Sequence, residues 1–268
     1  MMGQAHSHWH TSHVTAVTLV AVLMPLIVTI ILRGPTIIAP IGLALGLSLA
    51  WSIVFSAIRK SPINWHTLVS ALVFVLFLPV ATPVWQSGIA LSFGLVFGDL
   101  IFGSRGRGFL NAAVVALAFL LFSFPASQPE VAPTQVAIAA GLSGMFLLVF
   151  GLLSWRIITG FGICIAVLPA LLPISAHWQT VNSATIVLGL VFLIGDPVAG
   201  ASTHLGRWLY GALAAALVVV LGQTGTGIGA LPSIVFGALL ASIFAPLLDQ
   251  IAVYANVCRR AKRHTYEA

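Results

Sequence analysis

Long apolar runs dominate the chain, and its polar positions gather in short connections between them. At roughly 20 residues per bilayer crossing, the pattern predicts ten membrane-spanning helices. They lie at about 14–32, 36–57, 66–83, 86–103, 109–124, 134–154, 157–174, 184–200, 205–222 and 231–254. Several are short or interrupted by Pro or Gly. The first run is long and has no Lys or Arg before it, so it reads as a retained span and not as a cleaved signal peptide. The expected organisation is a His-rich tail (1–13), one transmembrane domain (14–254) and a basic tail (255–268).

Composition narrows the class. The chain has 268 residues, of which 60% are hydrophobic and only 6% charged. So few charges cannot cover the surface of a soluble domain of this size, and the fold class is an all-α polytopic membrane protein. The net charge of +6 does not point to nucleic acid, because the basic residues sit in short loops and the C-terminal tail. With both termini cytoplasmic, Arg59, Lys60, Arg105, Arg107, Arg156, Arg207, Arg259, Arg260, Lys262 and Arg263 fall inside, and Arg33 alone falls outside. That asymmetry is what the positive-inside rule demands. Trp51, Trp65, Trp85, Trp155, Trp178 and Trp208 fall near span ends, where interfacial anchoring accounts for them.

The chain has an internal echo. Ser70-Ala71 opens a span that reaches Leu78-Pro79, and Ser183-Ala184 opens one that reaches Asp196-Pro197. Two five-span halves, about 14–124 and 134–254, would have opposite membrane orientations, because five is odd.

Candidate chemistry is sparse. Asp196, one of five acidic residues, stands between Gly195 and Pro197 at the end of an apolar run. A carboxylate there is costly unless paired, hydrated or used. Proline removes a donor and turns the preceding residue out of helical geometry. The pattern is that of a broken helix lining a site in a bundle. Asp196 either accepts backbone N–H bonds at the break, pairs with Arg207, or contacts a flavin or cation. The Arg-rich loop 104–108 reads as a charged topogenic turn or a phosphate cradle. Cys164 and Cys258 form no CxxC, so an iron–sulfur or zinc site within this chain is not expected. His6, His8, His10 and His13 in the N-terminal tail are at most weak metal ligands.

Three stretches carry a family resemblance. They are SALVFVLFLPVATPVW (70–85), FGDLIFGSRGRGFLNAAVVALAFLLFSFPA (97–126) and GDPVAGASTHLGRWLYG (195–211), supported by FAPLLDQ (244–250). In this order they resemble the RnfD/NqrB family, membrane subunits of the Rnf complex and of the sodium-pumping NADH:quinone oxidoreductase. The resemblance implies ten helices in two inverted five-helix halves, similar to urea transporters, in a bacterial inner membrane. It also implies flavin, as FMN or riboflavin. The family's outer loop carries a Thr esterified to FMN, in a motif of the type Asp-x-x-Ser/Thr-Gly-Ala-Thr. Thr134 matches that Thr, whereas Gln128, Val131, Ala132 and Pro133 depart from the rest of the motif. Thr134 is therefore either an attachment point or the cap of the sixth helix.

On the cytoplasmic side the family places a non-covalent flavin. Its pattern there is close to Gly-x-Asn-x-x-Asn-Pro-Ala, against which this chain has Gly106, Gly108, Asn111 and Ala112. The candidate cofactor contacts are thus Thr134, Asn111, Asp196, Gly103 and Arg207. The leading reading is an electron-transfer subunit docked to other membrane redox subunits, and possible partners include a periplasmic FMN-binding protein. The alternatives are a cofactor-free scaffold subunit that docks such proteins, and a small-solute or cation transporter or channel.

Overall fold

The structure is a computed structural model and describes residues 11–102, 108–125, 132–171, 176–223 and 229–266. These residues form ten α-helices, with no strand among them. Helix α1 (Thr11–Arg33) passes through a 3-10 turn (Gly34–Ile37) into α2 (Ile38–Arg59). Gly34 has φ +65°, a left-handed conformation that glycine adopts without steric cost, and Pro35 follows it. Lys60 ends α2 in the left-handed region, its N–H on the Ser56 carbonyl, the usual way to satisfy a helix's last acceptors.

Next come α3 (His66–Phe77), α4 (Val84–Leu95) and α5 (Ala112–Ser123), followed by α6 (Thr134–Val149) and α7 (Trp155–Leu171). The last three are α8 (Ala176–Gly189), α9 (His204–Gln223) and α10 (Ala230–Tyr266). One-turn π-helices extend α4 (Val96–Leu100) and α8 (Leu190–Ile194).

Among the described residues, three helical runs are long and apolar enough to cross a bilayer by themselves: His13–Arg59, His204–Gly222 and Ala230–Val257. The others are apolar helices of 10–17 residues. Their brevity has local causes. The third predicted span stops at Phe77 and not at 83, because Pro79 and Pro83 cannot continue it. The eighth starts at Ala176, earlier than expected. Helix α10 runs on to Tyr266, so the basic stretch 259–263 continues the last helix. Its 37 residues span about 55 Å at 1.5 Å per residue, well beyond a hydrocarbon core of about 30 Å.

Helices α3 and α5 form the centre. Most of their side chains are buried, ten of twelve in α3 and eight of twelve in α5, including Phe74, Leu117 and Leu120, as expected of helices apolar on nearly all faces. The packing repeats with an offset of five helices. Helix α1 packs on α3, α2 on α4, α3 on α5 and α4 on α5, and correspondingly α6 on α8, α7 on α9, α8 on α10 and α9 on α10. Pairs α1–α6 and α5–α10 join the two sets. The α2–α3 contact has no strong counterpart between α7 and α8.

Without a hydrophobic drive between helices in lipid, close approach through small residues holds such pairs. Gly94 and Gly98 of the fourth helical run lie against Ala112 and Ala116 of α5, so close that a Cβ on Gly98 would stand 2.7 Å from the Ala112 Cα. A Cβ on Gly160 of α7 would stand 2.7 Å from the Trp208 carbonyl oxygen of α9. A membrane-embedded, all-helical, polytopic protein follows from this architecture together with the composition.

Candidate functional site

The broken ends of α4 and α8, the start of α3 and the start of α5 converge. Each break frees backbone groups, and several of them have partners in the bundle. In the π turn after α8, the Gly195 N–H reaches back to the Leu190 carbonyl at 2.8 Å. The Phe192 carbonyl accepts from Asn111 Nδ2 at 3.2 Å, and the Ile194 carbonyl from the Tyr210 hydroxyl at 3.3 Å. Asn111 is also the N-cap of α5, its Oδ1 accepting from the Ala113 N–H at 2.9 Å. One amide therefore starts α5 and closes the break of α8. Capping by Asn and pairing of freed carbonyls meet the demand that buried backbone groups be bonded.

Asp196 folds back on its own turn. Its Oδ1 accepts from the Val198 N–H at 3.1 Å, and its carbonyl accepts from Gly200 N–H at 3.2 Å. The far end of this connection, before α9, is held by α10. The Asp249 carboxylate accepts from the Ser202 N–H (2.8 Å), the Ser202 hydroxyl (2.9 Å), the Thr203 N–H (2.9 Å) and the Thr203 hydroxyl (2.6 Å). The cap of α9 is Thr203, whose hydroxyl accepts from the Gly206 N–H at 3.0 Å, and Asp249 holds that hydroxyl and the backbone before it from another helix.

Opposite Asp196 lies Asp99, 7% exposed in the π turn after α4. Asn64 Nδ2 donates to Asp99 Oδ2 at 2.8 Å, while Asn64 Oδ1 accepts from the His66 N–H at 3.1 Å. Asn64 thus links the start of α3 to the buried carboxylate.

Two adjoining cavities open among these groups. The larger, about 470 Å³, is mostly apolar, with Val69, Val73, Val191 and Phe192 on its walls. The smaller, about 290 Å³, has Asp99, Gly98 and Gly108 on its walls. His66, Ser70, Asn111 and Asp196 line both. A concave, mostly apolar space with a few convergent polar groups is the usual form of a ligand site.

Of the residues singled out in the sequence, Asn111 and Asp196 meet at this site. Arg207 does not line either cavity; its Nε donates to the Ala201 carbonyl at 3.2 Å. Gly103, residues 104–107 and the tail histidines His6, His8 and His10 lie outside the described residues.

Thr134 lies elsewhere. It is the exposed first residue of α6, and the N-cap position belongs to Pro133, which offers no side-chain bond. A separate cavity of about 400 Å³ adjoins it, lined by Arg33, Thr185, Ala132 and Pro133. Arg33 Nη1 there donates to the Leu78 carbonyl at 2.8 Å, closing the break that ends α3.

Sequence reasoning gave no role to His66, Asn64 or Asp249. The rarity of acidic residues was the available signal for Asp249. Three of the five, Asp99, Asp196 and Asp249, gather at this site or at the connection that carries it.

A family model described as the NQR2, RnfD, RnfE family matches residues 2–135 and 127–257. The chain is similar to a subunit of the Na(+)-translocating NADH-quinone reductase of Ectopseudomonas mendocina (strain ymp), 29% identical over 270 aligned residues, 80% of this chain and 66% of the relative. The same description belongs to relatives from Pseudomonas aeruginosa (strain LESB58), 28% identical with the same coverage, and Yersinia pestis, 29% identical over 80% of this chain and 65% of that protein. The chain thus covers just under two thirds of the length of these relatives.

Proposed function

Because the chain belongs to the NQR2, RnfD, RnfE family, we propose that it is the membrane subunit of a redox complex and holds a flavin in the cavity between α3, α5 and the break of α8. The relatives' description as subunits of a Na(+)-translocating NADH-quinone reductase supports a place among other membrane redox subunits. The observation that carries the flavin reading is the mostly apolar cavity whose walls bring Asn111 and Asp196 together with Val69, Val73, Val191 and Phe192. An isoalloxazine ring is flat and apolar along one edge, with acceptors and one N–H along the other. Asn111 can donate to a ring carbonyl, Asp196 can accept from the ring N–H, and Phe192 and the valines can cover the apolar edge.

A bound isoalloxazine supplies the electron-transfer chemistry. The chain's residues position it and keep out water. Asn111 and Asp196 are fixed by the same bonds that close the helix breaks, so they are preorganised for a ligand. The repeated packing pattern supports two inverted five-helix halves, similar to urea transporters. The asymmetry of basic residues supports a bacterial inner membrane with both termini cytoplasmic, and with it a cytoplasmic position for this cavity. Thr134 then faces outward, in the position of the family's attachment Thr. Pro133, Val131 and Ala132 differ from the motif around that Thr, so the flavin proposed here is non-covalent.

The test is the absorption spectrum of protein purified with its native partner subunits, before and after acid precipitation. Flavin released into the supernatant supports the reading. A protein without flavin refutes it, and flavin retained in the pellet and lost in Thr134→Ala transfers the cofactor to the outer face.

A further inference from the structure

We propose that His66 is the proton donor to the ligand in the larger cavity, fed from the cytoplasmic side through the smaller one. This inference rests on the flavin reading and adds a residue to it. His66 starts α3 directly after the connection 60–65, next to the basic end of α2, so it lies where the cytoplasmic interface meets the bundle. It is half-buried, and it lines both cavities. Among the described residues, the larger cavity has two titratable side chains on its walls, His66 and Asp196. The smaller adds Asp99.

The larger cavity narrows the choice. Helix α1 contributes Thr18 and Val22 to its walls, the cap of α5 contributes Asn111, and the α6–α7 end contributes Leu147 and Leu152, none of which titrates. Helix α2 also packs on α3, and its charged end residue Arg59 donates to the Ile101 carbonyl. Asp99 comes from the π turn after α4 and Asp196 from the turn after α8; Arg105 and Arg107 lie outside the described residues. Asp196 Oδ1 is held by the Val198 N–H and Asp99 Oδ2 by Asn64. Imidazole is the side chain that both gives and takes a proton near neutral pH. The Asn64 carboxamide fixes the backbone of His66 and the Asp99 carboxylate together, which keeps an acceptor close to the imidazole's cytoplasmic approach.

The step balances with one named co-reactant. As a one-electron carrier of a partner subunit delivered an electron to a bound flavin, protonated His66 would give up one ring N–H proton, becoming neutral imidazole, and that proton would form a flavin N–H bond. One proton enters the cavity per electron, so no net charge accumulates in a low-dielectric space. Water on the cytoplasmic side then returns a proton to His66 past Asp99.

The test uses the protein purified with its native partners, reduced rapidly by dithionite while the flavin absorbance is followed. Flavin content is measured separately by acid release. His66→Gln and His66→Ala should keep flavin but bleach at least about tenfold more slowly, the low end for loss of a general acid. Added imidazole should restore the rate in His66→Ala and leave His66→Gln unchanged. In the unmutated protein the rate should fall as pH rises, because only the protonated imidazole can donate. This arm holds even if a variant fails to fold. Full flavin with unchanged rates in the variants, or a flat profile in the unmutated protein, overturns the role of His66 and leaves the flavin reading standing. Absence of flavin from the unmutated protein overturns both.

Discussion

Replacing Asp249 with Ala tests whether the connection carrying Asp196 is held from α10. The carboxylate accepts four hydrogen bonds, two from backbone N–H groups at the start of α9. Asp249 orients the capping hydroxyl of Thr203 without being the cap itself, and each hydrogen bond to a charged group contributes about 1.5–3 kcal/mol. These do not add in full. The two bonds from Ser202 are exposed, so water can replace the carboxylate there. The Thr203 pair is partly buried and carries most of the loss. The expected destabilisation is about 2–3 kcal/mol for Asp249→Ala. For Asp249→Asn it is about 1–2 kcal/mol, since one acceptor oxygen remains and an NH₂ group now meets an N–H. Because Asp249 and Thr203 share bonds, Thr203→Val and Asp249→Ala should be non-additive by about 1 kcal/mol in a double-mutant cycle. The assay is reversible unfolding in detergent micelles, with limited proteolysis at 195–203 as a local probe. If Asp249→Ala unfolds with the unmutated protein, or the cycle closes additively, the α10 tether does not hold this connection.

Three further outcomes are expected. Gly94→Ala places a Cβ 2.6 Å from the Ala112 oxygen and Ala116 nitrogen, about 0.8 Å inside ordinary contact at 3.4 Å. It should destabilise the protein by about 1–3 kcal/mol, whereas Gly42→Ala, with nothing within 4 Å, should be neutral or slightly stabilising in the same unfolding assay. Asp196→Ala should lower the flavin recovered by acid release more than Asp99→Ala, because Asp196 lines both cavities and Asp99 only the smaller; equal recoveries would remove Asp196 from ligand binding. Cys258 should react with a membrane-impermeant thiol reagent in inside-out vesicles and stay protected in intact cells, and the reverse labelling would invert the orientation of the chain.

Much of the fold was legible because bilayer segments announce themselves by length and hydropathy. The apolar runs fall on helices among the described residues, three stretches of which are long and apolar enough to cross a bilayer. Errors fell where a second force acts. Prolines at 79 and 83 cut α3 short although its apolar run continues. Residues before 184 include His177, Gln179 and Asn182, which hydropathy assigns to a loop, yet α8 already runs through them. Backbone geometry does not need apolar side chains, and a helix that leaves the hydrocarbon can become polar without ending. The same holds for α10 beyond 254. The π turns had no signal of their own, because each is stabilised by remote partners. The Phe192 carbonyl needs Asn111, 81 residues earlier in the chain.

That dependence on remote partners also governs how much of the site could be read. Asp196 was visible because a carboxylate beside proline in an apolar run has few inexpensive explanations. Asn111 was visible through its stretch. His66 was not, since a lone histidine at the start of a span looks like any interfacial residue; what sets it apart is that two cavities meet on it. Asp249 showed in the sequence only as one of five acidic residues, and its role exists only because α10 passes the start of α9. In a bilayer every broken helix creates unpaired donors and acceptors that lipid cannot satisfy. A chain with 6% charged residues has few side chains with which to satisfy them. It therefore gathers its scarce Asp and Asn residues where the breaks converge. Polar groups that must be brought together to close the backbone are then already assembled to receive a ligand, so the structural and the binding roles of Asn111 and Asp196 are two uses of one arrangement.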